Sequence, residues 1–549
     1  MSILINEIID ILENCTGFPR DAINASIVVT PSIELGDYGS NLSFRIAKGG
    51  ETSQVAKSLA KCANESPKRR FLVAKSYGSF VNFSIADESF YTNVLNERSP
   101  ISAKPNGKKI IIETAPANIG EEFNLLHYRA TCIANLLAKV YRHLGYDVNM
   151  LLFWNDCGTP AGRLLYAYQK WGDQMSIRIK PKSELRRLRN LFAAASYDEN
   201  KVIETARELS LQLEHHDPKI DNIWRELREI HLRALVQDYG RFNLFYDEII
   251  YESQNEDLVV KIKDSLLTSG IAQVDKDESI IANLAHYKLP VAILFRSDGA
   301  SLYTIRDVAE LIRRRQLGFN QNIYVVSRNQ IGHFDQVFKL VSFLKEYHSD
   351  SGSSIHVPFG LVNGGKLNLE ETISILEDTA YHQVRYATSE RQKRITARII
   401  SEAILKSELL NRRRITDVTL TIEALSDIRT TSGLYLLYST VRANKLLKHC
   451  EVAQPNNMGI FPLANEEKTL IKCLDRRQLA FEETIAKNEP NEIVKYALEV
   501  CAKFNQFYDS CPITVNGFVS RRRLAVVEAF QSTMETLLEF MGVQIPEEI

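Results

Sequence analysis

The chain has 549 residues, 45% of them hydrophobic and 25% charged, which is the make-up of a globular protein with about three domains. The formal net charge is −1, so no global field draws the protein to nucleic acid or to an anionic membrane, and any basic surface must be local. No run of ~18 apolar residues occurs, so no transmembrane helix is predicted. The eight cysteines (Cys15, Cys62, Cys132, Cys157, Cys450, Cys473, Cys501 and Cys511) form no CxxC pair. That argues against a zinc or thioredoxin-like motif and predicts reduced, mostly buried thiols in an intracellular protein.

The first stretch, MSILINEIIDILENC, reads as an amphipathic helix with Glu7, Asp10 and Glu13 on its polar side. Import leaders are rich in Arg and poor in acids, so this start does not support one. The remainder of the first hundred residues mixes short strands with a turn at ELGDYGSN, and GSFVNFSI alternates like a strand. AKPNGKK at 103–109 is a turn-rich linker.

From residue 109 the pattern becomes strand, helix, strand. KKIIIE is strand-like, 131–144 is helix-like, and DVNMLLFW at 147–154 is the next strand. A βαβ unit of this kind implies a parallel sheet, whose ligands sit beyond the strand C-termini. Residues 118–127 and NDCGTPAG at 155–162 fall there. The stretch from about 165 to 285 is polar and helical, an insertion rather than sheet. It carries the basic tract RIKPKSELRRLRN at 178–190, either a solvated helix face or a contact for tRNA or phosphate. LPVAILF reads as the sheet resuming, followed by an SDG turn, the helix TIRDVAELIRRR, the strand IYVVS and the helix HFDQVFKLVSFL. HVPFGLVNGGKLNLEE at 356–371 is a strand and a loop. Beyond about 375 the periodicity is that of a helical bundle.

Taken together, these segments resemble the arginyl-tRNA synthetase family in its yeast and metazoan-mitochondrial form. IIIETAPANIGEEFNLLHYRA stands where that family has a strand, an SPN turn and its HIGH-type signature. WNDCGTPAG stands at GDWG, FRSDGASLYTIRDVA matches the R-S-D-G…Y-x-T-R-D-x-A segment, and IYVVSRNQIGHFDQVF the next strand with its Gln and His-Phe. HVPFGLV leads to the KMSKS position, and GLYLLYSTVRANKLL resembles the first DALR anticodon-binding helix. GDYGSNLSFRIAK and GSFVNFSI resemble the N-terminal tRNA-binding module. The resemblance implies an α/β fold: a Rossmann-like class I catalytic domain over 103–400, with the helical insertion at about 165–285. An α+β N-terminal module at 1–102 and an all-α anticodon-binding bundle at 401–549 would flank it.

The implied reaction joins L-arginine to ATP, with Mg2+, as arginyl-adenylate and then passes the arginyl group to tRNA-Arg. The implied state is a monomer, with room for a protein partner and no membrane. The branch implies a mitochondrial location, with the cytoplasm as the alternative. For the amino acid, the resemblance assigns Glu113 and Asn118 to its amino-acid end. Tyr303 and Asp307, one turn apart on a helix, are assigned to its guanidinium, with Gln330 nearby. Asp307 alone would otherwise read as a helix-start carboxylate. For tRNA, Tyr438 and Arg442 resemble the family's Y-x-x-A-R, while Arg521, Arg522 and Arg523 open the last helix as either a phosphate contact or a solvated helix start.

The nucleotide motifs depart from the family pattern. Asn124, Leu125, Leu126 and His127 occupy the His-x-Gly-His signature, so only His127 is kept and Leu126 replaces the glycine that lets the base approach. Glu121 and Glu122 stand where a lysine often meets the phosphates. At the KMSKS position Lys366 is followed by Leu367, Asn368, Leu369, Glu370 and Glu371, without the usual cations. Asp156 and Gly158 remain from the GDWG turn. The implied catalytic residues are therefore His127 and Lys366, with Asn124, Leu126, Asp156 and Gly158 as the remainder of the ATP site. Two readings follow: a ligase with a divergent ATP site, or a catalytically inactive relative that acts by binding tRNA or as a scaffold.

Overall fold

The computed structural model describes residues 2–30, 33–47, 50–96, 103–114, 116–198, 200–347, 352–363, 368–384, 389–421, 431–452, 462–515 and 518–549. They form two compact units. One combines residues 1–101 with 438–483 and 495–537, the other 102–437 with 484–494 and 538–549.

The larger unit is built on a five-stranded parallel sheet, in the order Ser353–His356, Gln321–Val325, Lys109–Thr114, Asp147–Trp154, Glu248–Tyr251. Lys109–Thr114 is central because both faces must be covered: Ile110, Ile111 and Ile112 are all buried, the mark of a strand with helices on either side. In register, Ile112 lies opposite Met150 on one neighbour and Ile323 on the other. The chain runs outward from this strand in one direction, then returns to its other side. That reversal opens a crevice beyond the C-terminal ends of Lys109–Thr114 and Gln321–Val325.

Two strand assignments differ from the expectation. Glu248–Tyr251, inside the stretch read as helical insertion, is the edge strand of the parallel sheet. Its four residues are too few to show a period. VAILF does not resume that sheet. Ala292–Phe295 instead pairs antiparallel with Ile280–Ala282, which pairs with Ala272–Val274, in a separate three-stranded sheet. Ile293 is exposed there, because an outer face needs no cover. The insertion is helical from Gly158–Trp171 through Pro218–Arg241, whereas the rest of the stretch to 285 also holds the strands Glu248–Tyr251, Ala272–Val274 and Ile280–Ala282.

In the smaller unit, the helices Ile3–Thr16 and Thr52–Glu65 pack on a four-stranded antiparallel sheet. Asp10 and Glu13 face solvent and hold Arg20, each at 2.7 Å. Glu7 does not join them. It is fully buried, and its Oε1 accepts the backbone N–H groups of Arg70, Phe71 and Leu72 at 2.7 to 3.0 Å. A carboxylate with three donors can be buried, and helical period alone does not reveal those donors. The reduced-thiol expectation also fails at one pair: Cys15 and Cys62 form a disulfide between the two helices, with Cα atoms 6.0 Å apart. They are 47 residues apart in sequence, so only the packing of the helices brings them together. The other six cysteines are free. The C-terminal helices of this unit pack through stacked rings, Phe504 on Phe530 at 3.8 Å. No helix among the described residues is long and apolar enough to cross a membrane.

Candidate active site

The crevice is lined first by Glu113, at the end of the central strand and opposite Tyr324 in the neighbouring one. The helix Tyr303–Gln316 contributes Tyr303 and, on its second turn, Asp307. Asp307 Oδ2 lies 2.6 Å from Nε2 of His333, on the helix that follows Gln321–Val325, and the Tyr303 ring rests 4.7 Å from the His333 ring. Asp307 is thus a positioned, largely buried carboxylate rather than a helix-start one. Glu113 has a resident partner: its carboxylate is bonded to the Arg314 guanidinium, which also donates to Glu310 through Nε at 2.7 Å. Burial raises the Glu113 carboxyl to about 7, Arg314 offsetting part of the shift while nearby Asp307 adds to it. Tyr324 Oη, His333 Nδ1 and Arg314 Nη1 are buried here without hydrogen-bond partners. Buried polar atoms without partners so close to Glu113 and Asp307 leave places for ordered water or a polar ligand. Gln330 is exposed at the end of the short turn Arg328–Gln330, after the neighbouring strand. Asn118 is half-buried in the loop after the central strand, and its amide donates to Glu121 at 3.3 Å.

The next feature is the start of the helix Leu125–His143, which begins six residues earlier than periodicity suggested. Asn124 is its cap: Oδ1 accepts the N–H groups of Leu126 at 2.9 Å and His127 at 3.1 Å. His127 Nδ1 in turn accepts from the Asn124 N–H at 3.4 Å, completing a capping box. Burial lowers His127 to about 4, so the ring is neutral near pH 7 and its Nε2–H is a donor. Phe123 wedges this helix start against Tyr239, with ring centroids 5.5 Å apart. His231, which the sequence reading passed over, accepts from the Gly120 N–H at 3.0 Å and fixes the loop before the helix. Its burial likewise lowers it to about 4.

The four residues assigned to the ATP site fall in two pairs, one after each of two neighbouring strands. Asn124 and Leu126 lie at this helix start. Asp156 is buried elsewhere, its carboxylate saturated by Arg228 at 2.8 Å and by the backbone and hydroxyl of Ser253 at 3.0 and 2.8 Å. Gly158, at φ +71°, faces Arg306: a Cβ there would come within 3.0 Å of the guanidinium. Arg306 is itself buried against Glu252 at 3.2 Å, Glu214 at 2.9 Å and Cys157 Sγ at 2.7 Å. The persisting Asp and Gly therefore hold the fold around Arg306 and Arg228. Lys366 lies outside the described residues. The segment after it starts the helix Leu369–Gln383, capped by Asn368, with Glu371 bonding back.

In the smaller unit, the Arg442 guanidinium lies between two rings, 4.9 Å from Tyr438 and 4.7 Å from Tyr508, and donates to Asn505 at 3.0 Å. Tyr438 is 50% exposed and Tyr508 39%, so a flat base has room to stack. Arg521 is exposed, but Arg522 is not a free phosphate contact. Its Nε donates to the fully buried Glu467 at 3.0 Å, and Arg523 shares that carboxylate at 3.3 Å. Three arginines at a helix start are tolerated here because a buried acid, distant in sequence, takes two of them.

The family model for the catalytic domain of class I tRNA synthetases (R) matches residues 91–374. The chain belongs to the class I arginyl-tRNA synthetase family. The DALR anticodon-binding domain model matches residues 436–549. Arginine–tRNA ligase of Clostridioides difficile is 28% identical, with 97% of each chain covered. That of Halothermothrix orenii is 28% identical over 96% of each. Among solved structures, the arginyl-tRNA synthetase of Plasmodium falciparum superposes with a TM-score of 0.81 at 17% identity, covering 100% of both chains. The Thermus thermophilus arginyl-tRNA synthetase gives 0.78 at 17%, over 100% of this chain and 99% of its own. The family fold thus extends over the whole length. The His-Phe match had flagged His333, whereas Glu310, Tyr324 and Arg314 carry no sequence signal beyond a basic run and an apolar strand.

Proposed function

We propose that the protein is an arginine–tRNA ligase that activates L-arginine with ATP and charges tRNA-Arg, using a nucleotide site that departs from the family pattern. The observation that carries this reading is the crevice at the sheet reversal. Glu113, Tyr303, Asp307 and His333 converge there, with buried polar atoms left unmet. A guanidinium brings a planar charge and five donors, which suit a carboxylate held from behind by histidine and an aromatic face beside it. Two acids, Asp307 and Glu113, face the crevice, and Arg314 occupies only one of them.

In this reading the arginine carboxylate attacks the ATP α-phosphorus and pyrophosphate leaves, and a terminal ribose hydroxyl of tRNA then attacks the arginyl carbonyl, takes the arginyl group and releases AMP. The chain's part is positioning and donation. Neutral His127, its Nδ1 engaged by the Asn124 N–H, would turn its remaining N–H from the Glu122 backbone to a phosphate oxygen. Lys366 would supply a cation from the second loop. Among the described residues no group of three or more His, Cys, Asp or Glu side chains is arranged to hold a metal. Magnesium is assigned to the ATP phosphates as substrate, and no step is routed through a protein-held ion. A mitochondrial site of action belongs to this proposal and rests on the branch resemblance.

The second reading, a tRNA-binding relative without catalysis, is favoured by Leu126 at the base-approach position and by Glu121, Glu122 and Glu370 in the two loops. ATP–pyrophosphate exchange with purified protein and arginine, with and without tRNA-Arg, decides between them. Exchange in either condition supports the ligase. Absence of exchange in both, with tRNA still retained on filters, replaces it with the second reading.

A further inference from the structure

The helix Pro181–Asp198 holds the basic tract that the sequence left open between a solvated face and a phosphate contact. It is neither. Lys182 and Arg186 are one turn apart and project from a common face. Arg186 Nε donates to Glu122 at 2.5 Å. Lys182 is paired with Asp238 and lies 3.5 Å from Glu370, which Arg241 also meets at 3.2 Å. Glu122 lies just before the HIGH-type segment and Glu370 within the segment at the KMSKS position. A single insertion helix therefore reaches both altered loops, and it reaches the acids that stand there in place of cations.

These groups surround one cavity of about 290 Å³, lined by Glu122, Asn124, Lys182, Arg186, Asn368 and Glu370 among others. Four carboxylates line it, Glu121, Glu122, Asp238 and Glu370, against the two cations of the insertion helix. An unpaired carboxylate beside a triphosphate repels it, and a paired one does so far less, because its field is largely cancelled a few Å away.

We infer that Arg186 and Lys182 are positioning residues of the nucleotide site: Arg186 holds Glu122, and Lys182 holds Asp238 and, together with Arg241, Glu370, so that these charges are removed from the path of an entering triphosphate. The helical insertion thereby becomes part of ATP recognition, through charges supplied from outside the two loops. This rests on the ligase reading for the existence of an ATP step, but its residues and its test are separate.

The test is the ATP dependence of arginine-driven ATP–pyrophosphate exchange, with tRNA-Arg present, for wild type, R186Q, E122Q and the double variant E122Q/R186Q. The Lys182 pair is treated the same way with K182Q, D238N and D238N/K182Q. Arg186→Gln exposes a lone carboxylate and should raise the KM for ATP about 10-fold or more, with kcat and the KM for arginine within about twofold. Removing the carboxylate as well should return the ATP KM to within about threefold of wild type. A merely structural salt bridge would move kcat and the melting temperature without singling out ATP, and that result overturns the inference. A direct phosphate contact would leave the double variant as impaired as R186Q, which overturns it too. Should wild type show no exchange, the same variants are compared by equilibrium dialysis with ATP, where the same order of affinities is expected. Loss of exchange with ATP binding intact refutes the ligase reading alone. Exchange with an unmoved ATP KM refutes the inference alone. Absence of any ATP binding by wild type removes both.

Discussion

Asp307 Oδ2 lies 2.6 Å from Nε2 of His333, so a carboxylate on one helix is aimed by an imidazole on the next. Asp307→Asn keeps the shape and removes the charge that a guanidinium would meet. Arginine affinity, followed by isothermal titration, should fall about 100-fold, ~3 kcal/mol, the loss expected when one partner of a desolvated charge pair is removed. The melting temperature should shift little, because Asp307 retains a hydrogen-bonding amide. Unchanged affinity would assign the pair to the fold alone.

Glu113 gives the binding step a pH dependence. Its carboxyl titrates at about 7 in the folded chain because burial outweighs the attraction of Arg314. An unfolded glutamate titrates near ~4.3, so the protonated form is the one the fold favours. Its stabilising contribution is complete below ~4.3 and is lost as pH rises through about 7. Arginine binding should run the other way. As Glu113 ionises, the crevice gains negative charge, and affinity should strengthen about 5-fold or more between pH 6 and 8. Glu252, also raised to about 7 by burial, titrates in the same window. Glu113→Gln separates them, since it should flatten the profile if Glu113 is the group responsible.

Leu126 stands one residue before His127, at the position that the family resemblance assigns to the approach of the base. Leu126→Gly removes that side chain while Asn124 still caps the helix with its own oxygen. The change should lower the KM for ATP about 5-fold or more while costing the helix about 1 kcal/mol in stability. Substrate titrations in the exchange assay and a thermal melt measure the two effects independently. An ATP KM that stays put would place the base elsewhere.

The sequence made the central βαβ unit legible, because Ile110 to Ile112 and Met150 to Trp154 are continuous apolar runs of strand length. The family resemblance singled out Asp307 and Tyr303, and both lie on one helix, one turn apart. What the sequence hid were partners. Nothing local to Glu113 points to Arg314, 201 residues away, and nothing near Arg522 points to Glu467. Gly158 and Asp156 persist in a familiar turn, and the neighbours they touch there, Arg306 and Arg228, are ones only the folded chain delivers. Motif spacing reports the backbone route, whereas ion pairs across the fold are set by tertiary packing. A residue can therefore keep its motif position and serve another neighbour. The edge strand Glu248–Tyr251 was missed for a different reason, being too short for any periodicity to register.

Arg442, with rings of Tyr438 and Tyr508 at 4.9 and 4.7 Å, offers a charge and an exposed aromatic face on the anticodon-binding helices. The two functions can be separated. Tyr438→Ala should weaken tRNA-Arg binding by ~1–3 kcal/mol without changing its salt dependence, because stacking releases no counterion. Arg442→Ala should weaken binding and also reduce the slope of log affinity against log salt by about 1, if its guanidinium meets a phosphate. Arg442→Lys keeps the charge but loses the planar stack, so it should preserve the slope while losing affinity. Filter binding across a salt series measures all three. Equal slopes for wild type and Arg442→Ala would confine Arg442 to holding the two tyrosines in place.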